Sequence, residues 1–178
     1  MKIAEKHNLC FKRSKYDFNM EEIPILGVII GKGQIKMEQE KIKAVKEWKT
    51  PTKVKDVESF PGFANFYWWF IQNFSHTAKP LNELKGKKDW KWEEEHQKVF
   101  EELKKKITSQ PVLALSRREG KFRVEMDASE HAIEGVLSQK QEGKWKPIVF
   151  LSRTMQLVEQ NYKIYNKELL AIVEALAK

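Results

Sequence analysis

The sequence predicts an α+β chain in two parts: a mainly helical first part opened by a β-hairpin, then three antiparallel strands followed by a helix. Three observations lead to this. Apolar residues recur at helical spacing through much of residues 38–107. From Phe122 they alternate with charged ones, the period of a strand with one apolar face. Between the two patterns stands Ser109-Gln110-Pro111, a stop signal for the preceding helix. The expected division is therefore residues 1–110 and 111–178.

Residues 22–37 read as a hairpin. Ile23, Ile25, Val28, Ile29 and Ile30 are strand formers, Gly31-Lys32-Gly33 supplies the turn, and Ile35 and Met37 return. Residues 38–49 read as a helix with Ile42, Val45 and Trp48 on one side, ended by Thr50-Pro51. Residues 53–71 are helical in pattern, with a break expected at Pro61-Gly62. Residues 72–91 carry Pro80, Gly86 and several lysines and read as a loop. In the next helix Trp92, His96, Val99, Phe100, Leu103 and Ile107 mark one face. Strands follow at 122–127, 133–139 and 146–152, the last two joined by a turn at Gln141-Glu142-Gly143-Lys144. The final helix aligns Tyr162, Tyr165, Leu169, Ile172, Val173 and Leu176.

The composition, 41% hydrophobic and 33% charged, is that of a folded chain and not of a disordered one. No apolar run approaches bilayer-spanning length, so no membrane partner is expected. The N-terminus has no apolar signal-peptide core, and a reducing intracellular location, cytoplasmic or nuclear, is the expectation. One cysteine, Cys10, excludes an internal disulfide framework and a cysteine zinc cluster. His7, His76, His96 and His131 lack ligand spacing. The formal charge of +8 comes from lysines in short groups, as on a folded basic face. Such a face suits a polyanion, because basic side chains release counterions from phosphates, although a solvated lysine surface explains it equally well.

The order of motifs resembles a family. Ile25-Leu26-Gly27 with Gly33, Trp48-Lys49-Thr50-Pro51-Thr52, Phe60-Pro61-Gly62-Phe63-Ala64-Asn65-Phe66-Tyr67 and Trp90-Lys91-Trp92 are followed by Met126-Asp127-Ala128-Ser129, Gly135-Val136-Leu137-Ser138-Gln139 and Lys167-Glu168-Leu169-Leu170-Ala171. The ordered set is similar to the end of the reverse transcriptase palm, the thumb and connection, and the first half of the ribonuclease H-like domain in polyproteins of gypsy-class long-terminal-repeat retrotransposons. The resemblance implies that the polymerase carboxylates lie upstream of this segment. It also implies that the ribonuclease H fold is truncated here, a later catalytic aspartate falling after Lys178. Trp68-Trp69 stand where the family usually has two arginines, Pro61 where it has leucine, Glu134 where it has glycine and Tyr16 where cysteine is common. Such departures suggest a decaying or repurposed copy with weakened phosphate contact.

Ribonuclease H chemistry needs several carboxylates around two divalent metals. By resemblance, Asp127 and Glu168 belong to that set, with Mg (or Mn) as a weakly held metal. Alternation puts Asp127 on the polar face with Arg123 and Glu125, while Glu168 shares its side of the helix with Ile164, Ala171 and Ala175. On the residues alone, a turn-forming Asp127 beside Ser129 and a solvated Glu168 explain the same pattern. The resemblance further implies nucleic-acid contacts at Gly27, near the primer end, and at Lys41, Lys53, Asn65 and Tyr67. For Tyr67 core packing competes with that role.

Three functions stay open: an RNA–DNA hybrid-binding segment with little or no catalysis alone, an active metal-dependent ribonuclease, and a repurposed host module without a nucleic-acid role. A sheet cut after three strands leaves an edge through which the chain is expected to self-associate, unless its helices cover it.

Overall fold

A computed structural model describes residues 6–7, 17–85, 90–109 and 112–177. It is the expected α+β arrangement of antiparallel sheets and helices. The first sheet contains β1 (Glu22–Ile25), β2 (Val28–Gly31), β3 (Gln34–Met37) and β4 (Val112–Ala114), in that order and antiparallel throughout. The second contains β5 (Phe122–Ala128), β6 (Ala132–Gln141) and β7 (Lys144–Thr154). The helices are α1 (Gln39–Lys46), α2 (Val54–Phe66), α3 (Phe74–Glu83), α4 (Glu94–Thr108), the short α5 (Leu157–Gln160) and α6 (Ile164–Leu176). A 3-10 turn spans Trp68–Phe70.

Several expectations are corrected. The apolar run 23–30 is two strands, not one. Leu26 and Gly27 both have positive φ, 49° and 87°, and reverse the chain tightly enough to pair Ile25 with Val28. A leucine there gives none of the Asn-Gly or Asp-Gly signal that marks such turns. The break at Pro61 does not occur: α2 runs unbroken through it. Proline costs a helix interior about 3 kcal/mol, and burial of Val57, Phe60, Pro61 and Ala64 on the core side offsets it. Half of the expected loop at 72–91 is α3, which buries Phe74, Thr77, Ala78 and Leu81 on one face. That spacing is helical, and Pro80 and the lysines masked it. Strand β4 lies beyond the expected division at residue 110 yet closes the first sheet against β3. The helix stop at Gln110-Pro111 lies outside the described residues.

The main core is aromatic. Phe60 packs against Trp48 and Phe100 with ring centroids 5.4 and 4.7 Å away. Phe100, Leu103 and Ile107 of α4 are fully buried, as their spacing predicts. Trp68 and Trp69 lie half-buried against the same core, and the Trp69 indole N–H donates to the Phe66 carbonyl at 3.1 Å. The second core is small: Ala128, Ile133, Met155 and Ala171, flanked by Met126 and Leu170. On α6 the residues turned inward are Lys167, Leu170 and Ala171, while Leu169, Ile172, Val173 and Leu176 are exposed. The predicted apolar stripe exists, but it stays largely exposed, with Ile172 and Leu176 at the rim of the sheet beside Val124.

Candidate nucleic-acid interface and carboxylate face

Five candidate contacts were read from the sequence, and the fold brings three together. The β1–β2 turn carries Gly27 over the groove between α1 and the end of α2. The Tyr67 hydroxyl donates to the Gly27 carbonyl at 3.3 Å, and the Glu38 amide donates to the same oxygen at 3.1 Å. A Cβ on Gly27 would stand 2.5 Å from the Tyr67 hydroxyl oxygen and 3.7 Å from Lys41 Cε. Gly27, Lys41 and Tyr67 thus line one cavity of about 460 Å³, with Leu26, Glu38, Phe63 and Phe66 as its other walls. Leu26 and Phe66 are exposed apolar side chains that the sequence reading did not single out.

Within this cavity the roles differ. Tyr67 is only 2% exposed and packs on Phe63, Phe66 and Phe70. It is a core residue that also sets the position of the turn. Burial, and secondarily the nearby Glu38 charge, push its phenol up from the ordinary value of 10.0. Lys41 is half-buried and brings the positive charge. Asn65 is exposed on α2, outside the lining. Lys53 is exposed at the opposite, N-terminal end of that 13-residue helix, a helix about 20 Å long.

The two carboxylate candidates lie on different elements, both exposed. Asp127 is the penultimate residue of β5, and Glu168 sits in the second turn of α6. Met126 and Ala128 face the small core under α6, so alternation turns Asp127 to the other face. There it lines a cavity of about 280 Å³ with Gln72, Asn73, Glu125 and Glu134, a lining that does not include Glu168. Ser129 ties the turn after Asp127, its hydroxyl oxygen accepting from the Ala132 amide at 3.0 Å. Magnesium and manganese take oxygen donors, and carboxylates suit them in kind. Among the described residues, however, no group of three or more His, Cys, Asp or Glu side chains is placed to hold a metal ion.

Glu134 is the residue whose role the sequence did not reveal. It is 6% exposed, and its Oε1 accepts from the His76 amide at 3.3 Å. Beside it Ser152 Oγ accepts from the Ser75 amide at 2.7 Å. Residue 73, before α3, has left-handed backbone and offers no side-chain cap. Two residues of the second sheet therefore cap α3, joining the two parts of the chain. Burial raises the Glu134 carboxyl above its ordinary 4.5, opposed by the hydrogen bonds from Ser152 and His76. Its Oε2 is buried with no hydrogen-bond partner. His96 has a local duty instead, its Nδ1 accepting from the Glu93 amide at 3.0 Å at the start of α4.

Known proteins resemble this arrangement. Residues 92–178 match the RNase H-like domain found in reverse transcriptase. The retrovirus-related Pol polyprotein from transposon opus of Drosophila melanogaster is 33% identical over 96% of this chain, which spans only 18% of that polyprotein. The foamy viral protease-reverse transcriptase solved with RNA/DNA hybrid superposes on 88% of the chain, with a TM-score of 0.74 and 26% identity, over 22% of its own length. The same viral protein solved with dsDNA covers 89% of the chain with a TM-score of 0.75 and 26% identity, over 34% of its own length. Over nearly all of its residues the chain is similar to segments of retrotransposon and retroviral polyproteins, and over residues 92–178 to the RNase H-like domain found in reverse transcriptase.

Proposed function

We propose that this chain is the end of the palm, the thumb and connection, and the first half of the ribonuclease H-like domain of a gypsy-class retrotransposon polyprotein, that it holds RNA–DNA hybrid, and that alone it cleaves little or nothing. The observation that carries the reading is the convergence of Gly27, Lys41 and Tyr67 on one groove. A glycine turn lets backbone approach a nucleic-acid end closely, a lysine supplies charge, and a buried tyrosine holds the turn in place. The net charge of +8 favours phosphate on the same grounds. The structural neighbours solved with RNA/DNA hybrid and dsDNA support it. A hybrid is read through its shape, phosphates and 2′-hydroxyls, which asks for no base-specific pocket.

In this reading Asp127 and Glu168 keep the family's carboxylate positions, but Asp127 turns to the sheet face away from α6, so the two do not form one magnesium or manganese site. Two exposed carboxylates on separate elements hold such a cation weakly, because it gives up its waters reluctantly.

The test is a titration of the chain with RNA–DNA hybrid at low salt, with and without magnesium or manganese. Binding is expected, with little cleavage. Metal-dependent cleavage abolished by Asp127→Asn would establish the active ribonuclease instead. No binding at low salt would favour a module without a nucleic-acid role.

A further inference from the structure

Half of the chain's formal charge of +8 sits at one end of the second sheet. Residues 117–125 and 138–147 hold seven arginines and lysines against three glutamates. Glu142 takes Arg117 and Lys146 as partners, at 2.7 and 2.8 Å. Lys121 and Lys140 are exposed and have no carboxylate partner among the described residues.

This excess of charge is organised. The Lys140 amide donates to the Lys121 carbonyl at 2.9 Å, and Lys140 pairs with Trp145 across β6 and β7. Lys121, Lys140 and Trp145 therefore form one row across the end of the sheet, about 5 Å from strand to strand. Arg123, two residues after Lys121, faces the same side. Its guanidinium lies over the Trp145 ring, 4.6 Å from the centroid, and Trp145 remains 38% exposed. Met126 on the same strand faces the small core under α6, so alternation turns Arg123 and its row to the other face. The backbone leading to Lys121 is fixed from behind. Gln139, fully buried, donates to the carbonyls of Arg117 and Glu119 at 2.9 and 3.1 Å and accepts from the Arg117 amide at 2.8 Å. Gln141 donates to the Leu115 carbonyl at 2.8 Å. The two glutamines strap this segment to β6 before any ligand arrives, which lowers the ordering cost of binding.

We propose that Trp145 and Arg123, flanked by Lys121 and Lys140, form a second nucleic-acid surface, one that takes a single strand. Cations in a row suit the phosphates of a duplex and of a single strand alike. The aromatic ring decides between them. A flat ring and a guanidinium plane stack on unpaired bases, whose faces a duplex keeps inside. The buried polar atoms left without a partner among the described residues all lie elsewhere, so nothing here reads a base edge and binding is expected to tolerate any sequence. The surface needs nothing from the Gly27 groove, which lies in the first part of the chain.

Fluorescence anisotropy of labelled oligouridine and oligothymidine, titrated with the whole chain over a range of salt, tests this. Both strands are expected to bind. K121Q/K140Q should lower the slope of log affinity against log salt by about 0.7 for each lost phosphate contact. Trp145→Ala should weaken binding about fivefold or more. Trp145→Phe keeps a flat ring and should restore most of it, which separates stacking from loss of folding. K41Q/K53Q removes the same charge from α1 and the start of α2 and should leave single-strand binding unchanged. Failure of hybrid binding at the Gly27 groove would therefore leave this inference standing. Equal losses in the two double variants would mean that net charge alone holds the strand, and would overturn it. Unchanged affinity in Trp145→Ala, or no binding of either strand at low salt, overturns it too. Equal capture of a polyglutamate peptide does the same, assigning the surface to an acidic protein segment instead.

Discussion

The two halves of this molecule treat their apolar residues in opposite ways. The first gathers aromatic rings from α2, the 3-10 turn, α3 and α4 into one continuous core, with Phe60, Phe70 and Phe100 almost fully buried. The second pairs its three strands in register, yet its core cluster under α6 comes down to Ala128, Ile133, Met155 and Ala171, and a helical stripe stays exposed. Backbone pairing alone therefore does not complete a domain. The second half takes part of its support from the first, through Glu134 and Ser152 on the start of α3.

The largest expected contrast comes from truncating one phenylalanine in each half. Phe60→Ala should destabilise by about 3–5 kcal/mol, since its ring is fully buried. Phe122→Ala, nearly half exposed, should stay within about 0.5 kcal/mol. Urea unfolding of both variants measures this, and equal losses would break the contrast.

Gly27→Ala comes next, at about 1–3 kcal/mol, because φ is +87° and the new Cβ meets the Tyr67 hydroxyl. Adding Tyr67→Phe should return part of that loss in thermal melts. If it returns nothing, the turn is not held by Tyr67.

Glu134 makes the join between the halves pH-dependent. Its folded pKa is raised, so the folded state binds the proton more tightly than the unfolded one. The stability this adds is full below the unfolded pKa and is lost as pH rises through the folded pKa. Glu134→Gln should remove that decline, by on the order of 1 kcal/mol, and gain most at the alkaline end of a urea-midpoint series. A variant that tracks the wild type at every pH would separate Glu134 from the join.

The smallest effect is a gain. Gly62 lies inside α2 with open space around its Cβ position, so Gly62→Ala should stabilise by about 0.5–1 kcal/mol.

Local periodicity made the regular elements legible. The buried face of α4 and the three strands of the second sheet follow from spacing alone. Prolines were the main source of error, since Pro61 and Pro80 both sit in helices that tertiary packing sustains. The Leu26-Gly27 turn was hidden inside an apolar run. Of the interface, Gly27, Lys41 and Tyr67 came from resemblance, and only the fold could show that they share a groove, because the Tyr67 hydrogen bond spans 40 residues. Glu134 stood out as a departure from the family pattern. Its partner on α3 lies 58 residues away, beyond the reach of any local signal.

The central claim places nucleic acid on the groove beside Gly27 and along α2. The slope of log affinity against log salt for RNA–DNA hybrid tests it most directly, compared among the wild type, K41Q/K53Q and Lys98→Gln, whose lysine pairs with Glu94 on α4. The account predicts that K41Q/K53Q lowers the slope by about 1 per lost phosphate contact and that Lys98→Gln leaves it unchanged. Equal slopes for the wild type and K41Q/K53Q would contradict it.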